Sequence, residues 1–192
     1  MADVFIKMEK YSSIIFDYDN TIARIPIDWK AARLEFKAYL VHTFPALHIQ
    51  DGLRIDEMEY IAMNTFADAP DKIYAYRSKL EKQYDHLHIP IAKTIDFIRN
   101  FDKSNTKLFV VSNNLKETVV SGLKDLELFS LFTEIVGVDT TSYPKPYTQS
   151  AEYLKNKYDI DFTSSAMVGD SVETDGKYSE ILGMTFINIY IE

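Results

Sequence analysis

Ser13-Ile14-Ile15-Phe16-Asp17-Tyr18-Asp19-Asn20-Thr21 opens on a short apolar run and passes into two carboxylates one residue apart. An apolar run without alternation suits a strand buried on both faces, as in a parallel sheet covered by helices. The acids begin where the run stops. Asp, Asn and Thr also form turns, so this segment alone reads equally as a solvated turn or as a catalytic pair. As chemistry, such a pair suits phosphoryl transfer. One carboxylate attacks phosphorus, and the other protonates the leaving oxygen and later activates water.

Similar runs recur downstream. Lys107-Leu108-Phe109-Val110-Val111 ends at Ser112, and Ser165-Ala166-Met167-Val168 is closed by Gly169-Asp170. Weaker strands are predicted at 134–137 and 184–189. Helical patterns lie between them at 90–101, 114–126, 148–158 and 174–182. In the first, Ile91, Ile95 and Ile98 share a face and Pro90 suits the first turn; the last stops at Gly183, a C-terminal cap. Strand and helix alternate, which predicts a doubly wound parallel α/β sheet. Ligands bind such sheets at the carboxyl ends of the strands, and Asp17, Ser112 and Asp170 all stand at predicted strand ends.

The alternation fails from 25 to 88. Trp29, Phe36, Leu40 and Phe44 recur at helical spacing behind an Asp28 N-cap. Ile55, Met58, Ala62 and Phe66 predict a second helix. Ile73, Leu80, Tyr84 and Leu87 predict a third, with Pro70 near its start. The expected organisation is an α/β core of 1–24 and 89–192 interrupted by a helical insert at 25–88.

The 192 residues are 46% hydrophobic and 26% charged, an ordinary globular composition. A net charge of −8 disfavours nucleic-acid binding. The absence of cysteine rules out a thiol nucleophile, thiolate metal ligands and disulfides. No stretch is long and apolar enough for a signal peptide or a bilayer span, so a cytoplasmic protein with no membrane partner is expected.

Three further elements carry chemistry. Ser112-Asn113 ends a strand and starts a helix, offering a hydroxyl and free N–H groups to a phosphate or simply an N-cap. Tyr143-Pro144-Lys145-Pro146 holds one lysine between two prolines, as a fixed ammonium or as a surface loop. Asp170, followed by Glu173 and Asp175, suits a hard cation such as Mg²⁺ or the capping of a helix.

In this order and context the chain resembles the haloacid dehalogenase-like hydrolases. That family carries Asp-x-Asp-x-Thr after its first strand, a Ser or Thr ending the second, a Lys further on, and a Gly-Asp with a second acid after the fourth. The resemblance spans 13–189 and implies a Rossmann-like core. It also implies roles. Asp17 is the nucleophile and a metal ligand. Asp19 is the general acid/base and a ligand through its backbone carbonyl. Ser112 and the Asn113 N–H bind the transferred phosphoryl group, and Lys145 screens its charge. Asp170 completes the Mg²⁺ ligands, Asp175 orients Lys145 or a metal-bound water, and Thr21 braces the loop by hydrogen bonding. The dehalogenase branch lacks the second acid, so Asp19 points to phosphoryl chemistry. Asn20 stands where glycine is frequent, and a second proline often seen after the lysine is missing. The insert matches the family's helical cap, in a short version.

The function so implied is Mg²⁺-dependent hydrolysis of a small phosphorylated metabolite, as in phosphoglycolate or nucleotide phosphatases, by a monomer or homodimer. A phosphosugar mutase would use the same aspartates. A silent phospholigand-binding domain would not need every reacting group. Gly-x-Gly-x-x-Gly, Gly-x-x-x-x-Gly-Lys and Gly-x-Ser-x-Gly are all missing. Arg24 is a candidate for a second anionic group of the substrate, with Arg33, Arg54 and Arg77 behind it. His86 and His88 read as turn residues, since no carboxylate lies at zinc-like spacing.

Overall fold

The computed structural model describes residues 5 and 7–189. The predicted core extends to 1–4, 6 and 190–192, which lie outside the described residues. Seven strands and eight α-helices are formed among the described residues: β1 (Ser13–Phe16), β2 (Ala23–Arg24), α1 (Trp29–Thr43), α2 (Ile55–Thr65), α3 (Ala69–Glu81), β3 (Ile89–Pro90), α4 (Ala92–Asn100), β4 (Lys107–Val111), α5 (Lys116–Asp125), β5 (Glu134–Val136), α6 (Val138–Thr141), α7 (Gln149–Tyr158), β6 (Ser165–Gly169), α8 (Lys177–Leu182) and β7 (Thr185–Asn188).

The apolar run at 13–16 has no polar face because both faces are covered. Ile14 and Phe16 join one apolar cluster and Ile15 another, as the two-residue period of a strand requires. Leu108 and Val110 share the first cluster, while Phe109 and Val111 share the second. Five strands pair in parallel in the order β5-β4-β1-β6-β7. The chain winds outward from β1 through β4 to β5, then crosses back to β6. The order therefore reverses between β1 and β6, which is where open sheets of this type bind ligands.

The helical stretch has its own core. Phe36, Leu40, Phe44, Met58, Ala62 and Ile73 are buried together there, away from the two sheet clusters. Asp28 caps α1 as its sequence predicts, its Oδ1 accepting the N–H groups of Lys30 and Ala31 at 3.1 and 3.0 Å. Pro70 sits in the first turn of α3. Four members of the predicted apolar faces do not belong to this core. Trp29, Leu80 and Tyr84 pack against the sheet cluster instead, and Leu87 is exposed.

Two helix expectations change. Pro90 does not open a helix: Ile89–Pro90 pairs antiparallel with Ala23–Arg24, a ribbon joining the two ends of the helical stretch, and α4 starts later. Proline is tolerated there because a two-stranded ribbon leaves an edge where its missing N–H is not needed. The helix expected at 174–182 begins as a π turn over Val172–Gly176, in which the Gly176 N–H reaches back five residues to the Ser171 carbonyl at 3.0 Å. Its predicted stop holds, with Gly183 at φ 70°. No helix of the described residues is long and apolar enough to cross a membrane.

Candidate active site

Asp17 continues the β1 ladder, its N–H donating to the Val168 carbonyl at 2.9 Å. The turn after it is tight: Asn20 takes φ 56°, a left-handed conformation that asparagine adopts more readily than most residues. Thr21 bonds within this turn through its backbone and not its hydroxyl. Its Oγ1 is buried without a protein partner, and its contribution is a backbone N–H to the Tyr18 carbonyl at 3.2 Å.

Lys145 reaches the same point from the loop after α6. Its side chain is 2% exposed, and its ammonium donates to Asp17 Oδ1 at 2.8 Å and Asp175 Oδ1 at 2.6 Å. Burial alone would lower its pKa, but the two carboxylates outweigh that and raise it above the ordinary lysine value. The loop is fixed by Asn113, whose Oδ1 accepts the Lys145 N–H at 2.6 Å while its Nδ2 donates to the Lys145 carbonyl at 3.1 Å.

Asp175 is held from the other side too. Its Oδ2 accepts the Ser171 N–H at 3.3 Å. The π turn swings it inward, where a Cβ on Gly169 would lie 2.2 Å from its Oδ2. Gly169 is therefore required for the close approach. Glu173, two residues earlier, faces solvent and pairs with Lys177.

Asp17, Asp170 and Asp175 present oxygens within 4.8 Å of one another, a group able to hold a metal ion. Burial, and then Asp17 and Asp19, raise Asp170 to about 6; burial also raises Asp175, to about 7. Asp170 forms no ion pair and bonds no other described side chain. The set is all oxygen and electron-rich, so the residues present fit a hard divalent cation. Asp175, already bound to Lys145 and Ser171, fits better as the holder of Lys145.

Asp19 is set apart from this group. Its Oδ1 accepts the Ile25 N–H and its Oδ2 the Trp29 Nε1–H, each at 2.8 Å. Burial raises its carboxyl to about 6 although these donors oppose the rise. The apolar periodicity of 29–44 hides this Trp29 contact.

These groups line one cavity of about 630 Å³. Asp17, Asp19, Lys145 and Asp170 all face it, together with Asn113 and Asn114. Ser112 stands at the end of β4 but is buried behind this wall, its hydroxyl donating to Asn114 Oδ1 and accepting the Asn114 N–H, both at 3.2 Å. The Asn114 Nδ2 is buried without a partner. Arg24 is exposed on β2 and does not line the cavity, whereas Arg33, Arg54 and Arg77 do. His88 is more than a turn residue: its Nδ1 lies 2.6 Å from the Tyr18 hydroxyl, next to Asp17. His86 pairs with Asp125 at 2.7 Å on the surface.

The helical stretch meets the sheet rim at several points. Tyr60 stacks on Tyr147, with ring centroids 3.8 Å apart, beside the Lys145 loop. Glu81 Oε2 accepts the Leu115 N–H at 3.1 Å, just past Asn114. Tyr74 donates to the Val138 carbonyl at 3.2 Å.

The chain is similar to several known proteins. The pyrophosphatase PpaX of Listeria welshimeri is 25% identical over 189 residues, covering 90% of this chain and 82% of its own. PpaX of Bacillus pumilus is 23% identical over 168 residues, covering 83% and 74%. Among solved structures, the magnesium-bound HAD-hydrolase YfnB of Bacillus subtilis matches with a TM-score of 0.58 at 21% identity, covering 92% of this chain and 86% of that one. A predicted phosphoglycolate phosphatase from Haemophilus somnus matches with a TM-score of 0.61 at 16% identity, covering 92% and 84%. The structural matches establish the shared fold. The family model for haloacid dehalogenase-like hydrolases matches residues 14–189, nearly the whole described chain. With its parallel sheet and its acids gathered at the switch point, the chain belongs to the haloacid dehalogenase-like hydrolases.

Proposed function

We propose that this protein is a Mg²⁺-dependent phosphatase that hydrolyses a small phosphate monoester through an aspartyl-phosphate on Asp17. The observation that carries the reading is the buried Lys145 ammonium, 2.8 Å from Asp17 and 2.6 Å from Asp175, with Asp19 held apart on its own two donors. One carboxylate is thus charge-compensated for attack and the other is positioned for proton transfer.

In the first step Asp17 attacks phosphorus while the bond to the leaving oxygen breaks, and Asp19 supplies the proton that oxygen needs. In the second, Asp19 takes a proton from water, the water oxygen attacks phosphorus, and phosphate leaves with Asp17 restored. Lys145 offsets the repulsion between Asp17 and the incoming anion. The Asn114 Nδ2, an unpartnered donor of a cavity-lining residue, suits a phosphoryl oxygen, with Asn113 next to it in the wall and the Ser112 hydroxyl behind, bonded to Asn114. Asp17, Asp170 and the Asp19 carbonyl would hold Mg²⁺. When bound, Mg²⁺ adds positive charge where the transition state concentrates negative charge. The helical stretch at 25–88 acts as the cap that excludes water and selects the substrate.

The test is inorganic phosphate release from phosphoglycolate, pyrophosphate, nucleoside monophosphates, sugar phosphates and an aryl phosphate. The wild type should release phosphate with Mg²⁺ and stop when the ion is chelated. Asp17→Asn should be silent, and Asp19→Asn slower by about 10²-fold or more. Phosphate release by Asp17→Asn, or an Asp19→Asn rate near that of the wild type, would overturn the assignment.

A further inference from the structure

The part of the cavity wall contributed by the helical stretch is basic on a protein of net charge −8: Lys30, Arg33, Arg54 and Arg77 stand against one acid, Asp56. Two of these cations are already satisfied. Arg54 is bidentate on Asp56, at 3.0 and 2.8 Å. Arg77 bridges Glu59 at 2.9 Å and Glu81 at 3.0 Å. Lys30 and Arg33 are different: neither side chain makes an ion pair or hydrogen bond among the described residues. They stand three apart on the first turn of α1, so they share a face, where like charges repel. Trp29, which starts that turn, donates to Asp19 at 2.8 Å, so the turn is anchored beside the reacting groups.

Two uncompensated cations on one face of one cavity call for an anion. We propose that Lys30 and Arg33 form a second anion subsite. The substrate then carries, besides the phosphoryl group attacked by Asp17, a second anionic group, either phosphate or carboxylate. The identity of the first group rests on the phosphatase reading; the existence of the subsite does not. The guanidinium of Arg33 supplies a planar fork that matches either oxyanion, and Lys30 adds a point charge.

The test compares kcat/KM for pyrophosphate, phosphoglycolate and p-nitrophenyl phosphate, the last having an uncharged tail. Arg33→Ala should lower the ratio of kcat/KM on a doubly anionic substrate to that on p-nitrophenyl phosphate by about 10–100-fold, mainly through KM, as for a lost charge-assisted hydrogen bond. Arg33→Lys should recover part of it, and Lys30→Ala should show a smaller fall. A fall confined to pyrophosphate names phosphate as the second group; one confined to phosphoglycolate names carboxylate. Equal effects on all three substrates, or none, overturn the subsite. Calorimetric titration with pyrophosphate and phosphoglycolate, in an Asp17→Asn background with Mg²⁺, separates this from the phosphatase reading. Binding weakened about tenfold or more by Arg33→Ala supports the subsite even if no phosphate is ever released. Unchanged binding, or no binding by the Arg33 parent, overturns it. Since Arg33 makes no ion pair or hydrogen bond among the described residues, its variants should melt with the parent.

Discussion

Gly169→Ala should disable the site without touching a reacting group. The new Cβ would lie 2.2 Å from Asp175 Oδ2, 2.5 Å from its Cγ and 2.7 Å from its Cβ. Ordinary contact starts at 3.4 Å, so the carboxylate must retreat by about 1.2 Å. Asp175 cannot move that far and keep its 2.6 Å bond to Lys145, nor can Lys145 follow while bound to Asp17. Overpacking costs about 1–3 kcal/mol and freeing one member of a buried ion pair about 3–5 kcal/mol. Lys145 keeps one of its two partners, so the expected stability loss is about 3 kcal/mol. A misplacement of about 1 Å at a reacting centre lowers the rate by about 10²-fold. The assay pairs thermal unfolding with phosphate release at a temperature where the variant is folded. Gly183→Ala is the control: its φ of 70° makes it lose about 1 kcal/mol, but it has only Thr163 near it, at 3.8 Å, and should keep its kcat. Gly169→Ala with wild-type kcat, or a rate loss in Gly183→Ala of the same size, would refute the idea that Gly169 exists to let Asp175 hold Lys145.

Three more outcomes are expected. Burial alone would raise Glu134, but hydrogen bonds from Lys157, Tyr158 and Lys116 outweigh it and hold its carboxyl at about 2, against an ordinary 4.5. A depressed folded pKa gives stability that is present above 4.5 and lost as pH falls from 4.5 towards 2. The stability gap between wild type and Glu134→Gln should therefore close over that window in acid unfolding; a constant gap would contradict it. The Tyr60–Tyr147 stack should show a coupling of about 1 kcal/mol in a double-mutant cycle, and additive single losses would mean that the rings do not hold the helical stretch to the Lys145 loop. Leu40→Ala empties a fully buried site in the separate helical core and should cost about 2–5 kcal/mol, with loss of hydrogen-exchange protection concentrated in α1 to α3. Protection lost equally from β1 and β4 would show one cooperative core instead.

The parallel sheet and the placing of Asp17 and Asp170 on one rim were legible from a short-range signal, an apolar run covered on both faces and followed by a polar residue at the strand end; Lys145 and Asp175, in a loop and a π turn, were legible only through the order of motifs that the family resemblance supplied. The rest depended on which body a side chain serves, and periodicity does not carry that information. Trp29 and Phe36 are seven residues apart and share a helical face, so the pattern assigns them to one core. Phe36 is in the helical core, but Trp29 packs against the sheet cluster and bonds to Asp19. A helix that leaves one body and enters another passes its apolar stripe from the first to the second, and its opening turn stays with the body it leaves. The same geometry corrects the ranking of the arginines. Arg24 is near Asp19 in sequence, yet it lies on a two-residue strand where side chains alternate, with Ala23 buried and Arg24 turned to solvent. Arg33 is nine residues further on, but the α1 turn anchored by Trp29 brings it back over the cavity. Proximity to the catalytic loop along the chain is thus a poor guide to which side chains line the cavity, and the register of α1 against Asp19 is the better one. Adding one residue between Trp29 and Lys30 would rotate Lys30 and Arg33 by about 100° relative to Trp29. Phosphate release from an aryl phosphate should then outlast release from doubly anionic substrates, and equal loss on both would tie α1 to Asp19 alone.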